Sequence, residues 1–186
     1  MRFVLALFAL SGLALPAHAL SVDDTKVNYA NTLKVAGKTL RATGAGLREK
    51  AWVNVYTIAS YVDADAKFKG GAGLAKADAV KVLHLIMQRD VSGEKMANAT
   101  KEAFRKNTRS GYTAELGKLV SWLKASEAKE GEHIKFTYIP GQPLECKRSG
   151  KTIKLGDAGF ATAFWLIYFG SSPADSDVKK ALSRWL

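Results

Sequence analysis

The run from Lys50 to Val62 constrains this chain most. Trp52, Val53, Val55, Tyr56, Ile58 and Tyr61 make it aromatic and β-branched, and it is nearly apolar on both alternating sides. Such a segment reads as one long strand. Side chains leave a strand alternately on its two faces, so a strand apolar on both needs cover on both and belongs inside a sheet.

Other strands and helices are available to provide that cover. Val27 to Val35 and Thr39 to Thr43 read as a hairpin about Gly37-Lys38, and Gly44-Ala45-Gly46 follows as a strained turn or bulge. Lys67 to Gly73 reads as a glycine-containing connection, and Val80 to Met87 as another strand. Ser92 is a helix N-cap, after which Met96, Ala99, Ala103 and Phe104 recur at helical spacing while Lys95, Lys101, Arg105 and Lys106 crowd the other faces. Tyr112, Leu116, Leu119, Val120 and Leu123 mark a second amphipathic helix.

Ile134 to Ile139 alternates as a strand, and Leu144–Arg148 with Lys151–Leu155 form a hairpin about Ser149-Gly150. Asp157 caps a helix whose Phe160–Phe169 span is apolar on nearly every side and therefore buried, and a short terminal helix runs from Pro173 through Trp185. The tally is α+β: an antiparallel sheet with helices over one face, without internal repeat or linker.

Residues 1–19 carry the marks of a cleavable export signal. Met1-Arg2 is followed by the apolar run Phe3–Leu15, then Pro16 and the small-x-small site Ala17-His18-Ala19. The run falls short of the roughly 20 residues of a membrane-spanning helix. Cleavage after Ala19 is expected to leave residues 20–186 as one domain in the periplasm or outside the cell. Cys146 is the single cysteine, which excludes an internal disulfide and reads as a packed thiol. The net charge of +11 favours acidic partners, an anionic membrane surface or an acidic envelope partner among them. Nucleic acid is not expected of an exported chain without a nucleic-acid-binding motif.

His84 and His133 are too few and too far apart to form a metal cluster by spacing, and each reads as a satisfied or surface histidine. No Gly-x-Ser-x-Gly elbow or His-Glu-x-x-His helix is present, no cofactor motif is found, and no cofactor is expected. Arg48 stands out, two residues after Gly46 and beside the apolar strand with Tyr56 and Tyr61. A guanidinium there suits a carboxylate or a polarised carbonyl, with a tyrosine hydroxyl adding a hydrogen bond. The plainer alternative is a strand-edge ion pair with Glu49 or a nearby aspartate.

Gly44-Ala45-Gly46-Leu47-Arg48-Glu49-Lys50, then Val55-Tyr56-Thr57-Ile58-Ala59-Ser60-Tyr61-Val62, resembles the chalcone isomerase family, particularly its bacterial chalcone isomerase-like branch. Val91-Ser92-Gly93 before a helix, and Phe160–Gly170 followed by Ser171-Ser172-Pro173, are similar to further segments of that family. The resemblance implies an open-faced β-sandwich, a large antiparallel sheet under a helical layer with a cleft between.

It also implies site positions. Plant enzymes of the family close a chalcone with an arginine, a strand threonine, and a helix tyrosine and asparagine. Arg48 matches the arginine, Tyr56 stands at the threonine, and Met96 and Ala103 at the tyrosine and asparagine. Non-catalytic relatives bind fatty acids with a comparable Arg and Tyr. The leading expectation is thus a binder of a fatty or aromatic carboxylate, with Arg48 and Tyr56 at the head group and Met96 and Ala103 along the tail. Two others stay open: an isomerase (intramolecular lyase) acting on a small enone or phenolic, and an envelope interaction protein using the basic Ser92–Lys106 helix.

Overall fold

The computed structural model describes residues 19–186, so all of the expected export signal except Ala19 lies outside the described residues. Seven strands form one antiparallel sheet in chain order: β3 (Thr32–Val35), β4 (Lys38–Lys50), β5 (Val53–Asp63), β6 (Lys81–Met87), β7 (His133–Tyr138), β8 (Leu144–Arg148) and β9 (Lys151–Leu155). A separate pair, β1 (Ala19–Ser21) and β2 (Asn28–Ala30), precedes them. The helices are α1 (Gly70–Lys76), α2 (Gly93–Asn107), α3 (Thr113–Lys124), α4 (Ala158–Phe169) and α5 (Ser176–Leu182).

Strand β5 lies inside the sheet between β4 and β6, as its two apolar faces demanded. Tyr56, Ile58 and Val62 join the main core with α2, α3 and α4, while Ala59 and Tyr61 join a smaller core on the opposite face, closed by Leu20, Val22 and Tyr29 from the β1–β2 arm. The fold is therefore α+β, an antiparallel sheet with its helical layer on one side. Cys146 is buried, and burial pushes its thiol pKa up, which makes it the packed thiol expected.

Local chemistry accounts for most boundaries. Ser92 Oγ accepts from Lys95 N at the start of α2, Asp157 Oδ1 from Phe160 N at that of α4, and Asp175 Oδ1 from Asp177 N and Val178 N at that of α5. The turns of β3–β4 and β8–β9 place Ala36-Gly37 and Ser149-Gly150 at positive φ, as two-residue hairpin loops require.

Four segments differ from expectation. The Lys67–Gly73 connection runs into a short helix, α1, whose first residues are glycine and whose start has no side-chain cap. Tertiary contacts hold it: Lys81 Nζ, buried beside it, donates to the Ala75 and Ala77 carbonyls at 2.7 and 2.9 Å, and Gly71 leaves room for Phe169, which a Cβ would meet at 2.8 Å. Desolvation lowers the Lys81 pKa to about 8.

The Val27–Val35 strand is split at Asn31 into β2, which pairs with β1, and β3, which pairs with β4, whereas the Gly44–Gly46 segment takes the bulge of its two expected forms, between Ala42 and Gly44 within β4. The Lys50–Val62 strand is interrupted at its start by a two-residue turn, Ala51-Trp52. Within α2 the buried positions are Gly93, Ala97, Ala103 and Phe104, not Ala99.

Candidate functional site

Gly44, Gly46 and Arg48 alternate along β4 on the face that meets the helices. A Cβ at Gly46 would stand 2.5 Å from Ala181 Cβ, and one at Gly44 would be 2.0 Å from the Ala181 carbonyl oxygen. The glycines thus let α5 lie directly on the strand. Thr43 Oγ1 donates to the Leu182 carbonyl at 2.9 Å and Trp185 N to the Thr43 carbonyl at 3.0 Å, which fastens the end of the chain there. Arg48 is the first residue of the row with a side chain, and it extends beside α5 into the sheet–helix layer.

Across the ladder Arg48 pairs with Tyr56. Its Nη1 donates to Tyr56 Oη at 3.4 Å, and the guanidinium carbon lies 5.5 Å from the centre of the Tyr56 ring. Tyr168 of α4 comes down on the same pair: its hydroxyl neighbours that of Tyr56, and burial, then the Tyr56 charge and hydrogen bond, push its pKa well up. Burial opposes the charge on Arg48, yet Tyr56, Tyr168 and Asp175 outweigh it and leave the guanidinium pKa raised.

Arg48 is half-buried, and among the described residues no carboxylate lies within salt-bridge distance of it. The expected alternative, an ion pair with Glu49 or an aspartate, is not formed. Asp175, the acid whose field reaches Arg48, is engaged in capping α5. A half-enclosed cation flanked by two phenols is short of one acceptor, and a carboxylate or enolate oxygen fits that need.

Of the other two expected positions, Ala103 is buried in the main core that includes Tyr56, and Met96 is half-buried against it. Both belong to the layer over the sheet. Phe160 and Trp165 fill that layer with no exposure, whereas Trp52 stands in solvent. Trp165 Nε1 is buried without a hydrogen-bond partner. Tyr168 is the site residue that sequence reasoning missed, although the signal was present: it is the single hydroxyl-bearing aromatic in a largely apolar buried helix.

The histidines are elsewhere. His84 Nε2 and His133 Nδ1 are 2.8 Å apart on the opposite face of the sheet, and the Tyr29 ring packs edge-on against His84. They satisfy one another, as expected of histidines without a catalytic partner.

The family model for chalcone isomerase-like proteins matches residues 21–182, nearly all of the described chain. The chain belongs to the chalcone isomerase-like family. Its fold is also that of a solved Arabidopsis thaliana fatty-acid binding protein, with a TM-score of 0.68 at 16% identity over 89% of this chain and 96% of that one. No curated protein sequence matches the chain. With the match, the glycine–arginine strand and the tyrosine strand that carried the sequence resemblance take their places as β4 and β5 of a chalcone isomerase-like sheet.

Proposed function

We propose that this protein is an exported, non-catalytic binder of a hydrophobic carboxylate, a fatty or aromatic acid. Arg48 and Tyr56 hold the head group, Tyr168 adds a third polar contact, and Met96 and Ala103 line the start of the tail. The observation that carries this reading is the half-buried Arg48 guanidinium, which has two phenol neighbours and no carboxylate partner among the described residues. The description of its structural neighbour as a fatty-acid binding protein supports the same ligand class.

Both hydroxyl groups donate to an anion, and the apolar layer beyond them suits a tail. Phe160, Phe164 and Trp165 occupy the centre of that layer, so the tail enters along the α2 side, where Met96 can change rotamer at little cost.

The test is native mass spectrometry of the purified protein beside Arg48→Ala and Tyr168→Phe, followed by titration with a medium-chain fatty acid. A co-purifying acid is expected in the wild type and not in Arg48→Ala. Affinity in that variant falls roughly ten- to a hundred-fold, the worth of a charge-assisted hydrogen bond. A wild-type protein that is empty and does not take up the acid would return the site to the isomerase reading, in which Arg48 polarises a carbonyl.

A further inference from the structure

Three hairpins of the large sheet close through two-residue turns with both residues at positive φ. Two of them, Ala36-Gly37 and Ser149-Gly150, place glycine second, where its lack of a Cβ removes the steric penalty. The third is Ala51-Trp52, at φ +51° and +60°, between the Lys50–Val53 pair of β4 and β5. Neither residue suits the left-handed region, and a tryptophan there is held in a strained backbone without any packing in return: it is 95% exposed, and the adjacent Val53 is 40% exposed. Stability does not explain this turn.

Its surroundings are basic. Lys50 flanks the turn, and Tyr56, farther along the same hairpin, shares the main core with Ala97, Ala103 and Phe104 of α2, which sets that helix on the helical side of the hairpin. Lys101 and Lys106 are exposed on α2, and with Arg105 they border a depression of about 470 Å³. The acids in the patch are Glu49 and Glu102, the latter 2.8 Å from Lys106. Cations therefore outnumber them, and one aromatic ring projects from the hairpin tip.

We propose that the Ala51-Trp52 tip, with Lys50 of β4 next to it and the exposed Lys101 and Lys106 of α2 as further cations, docks this protein onto the surface of an anionic lipid bilayer. An indole at the head-group level keeps its apolar body in the acyl boundary and its N–H in water, and surrounding lysines are drawn to anionic lipid. A bilayer also asks for no shape complement, and a single projecting side chain offers none. Docking would set the Arg48–Tyr56 pair, two residues behind Lys50 on its strand, roughly 7 Å from the membrane. The proposal goes beyond ligand binding and stands even with that site empty.

The experiment is flotation of the purified protein with phosphatidylcholine vesicles, with and without phosphatidylglycerol. Wild type is expected on the phosphatidylglycerol vesicles only, with binding that weakens as salt rises. Trp52→Gly suits the positive φ, so its thermal stability is undiminished while its vesicle affinity falls at least about tenfold. Lys50→Gln and Lys101→Gln each weaken binding about fivefold. Tyr168→Phe, which alters the head-group site without changing charge, floats as the wild type does, which keeps a failure of the head-group site distinct from a failure of docking. Equal binding to phosphatidylcholine alone, or unchanged binding by Trp52→Gly, would overturn the proposal. So would capture by soluble polyglutamate but not by vesicles, which would assign the patch to an acidic polymer.

Discussion

Lowering the pH from about 7 to about 5 should destabilise this protein through a single side chain. His84 faces Tyr29 of β2, Thr57 and Tyr61 of β5, and His133 and Lys135 of β7. Burial, then Lys135 and His133, lower its pKa from 6.5 to about 3. The folded state keeps the ring neutral while the unfolded chain binds a proton below about pH 6.5, so the contribution to stability is complete above that pH. It is lost as the pH falls toward the folded value. The loss is about 1.4 kcal/mol per pH unit once the unfolded ring is protonated, or about 2 kcal/mol between about pH 7 and about pH 5.

Urea unfolding of the wild type and His84→Gln at both pH values measures it. The carboxylates whose pKa values are lowered, Asp63, Asp90, Glu102 and Glu132, protonate in the unfolded state at lower pH and do so in both proteins, so the difference isolates the ring. The wild type should lose about 2 kcal/mol more than the variant. Parallel losses, or a His84 NMR titration midpoint near 6.5, would refute the reasoning.

The buried Arg148–Glu132 pair makes a second test. Arg148 Nε and Nη2 donate to the two carboxylate oxygens at 3.0 and 3.1 Å, and Nη2 also donates to the Glu127 carbonyl. Glu132→Ala leaves this cation buried without its charge partner and should cost about 3–5 kcal/mol in denaturant unfolding, whereas Arg148→Met with Glu132→Leu should cost much less. A double variant as unstable as the single one would show that the loss lies in packing. Gly46→Ala brings a Cβ against Ala181 and should cost about 1–3 kcal/mol; in an Ala181→Gly background the same change should cost clearly less, as a double-mutant cycle reads directly.

How much of this was legible depended on whether the cause was local. Ile134–Tyr138, the Leu144–Leu155 hairpin and the Phe160–Phe169 helix follow from alternation, a Ser-Gly turn and a nearly continuous apolar run, and the structure has each of them. Helix α1 was not legible because its cause is distant: the lysine that binds its last carbonyls is on β6, and the phenylalanine that needs its glycine is on α4. The Ala51-Trp52 turn carries no turn chemistry at all, since neither residue favours positive φ.

That hidden turn decides the site. Reading Lys50–Val62 as one strand leaves Arg48 before it, with no opposite residue. A two-residue turn instead folds β5 back along β4, pairing Lys50 with Val53 and Glu49 with Asn54. Simple continuation would then set Arg48 opposite Val55, whose side chain is apolar. The register shift after that point passes over Val55 and brings Tyr56 opposite Arg48, and the second shift, between Ala42 and Gly44, restores the original count farther along. Between the two shifts lie Gly44, Gly46 and Arg48, the stretch on which α5 rests. Arg48 and Tyr56 were each readable as candidates from residue type and family resemblance. Their contact was not, because a one-residue difference in register would turn one of them to the other face of the sheet.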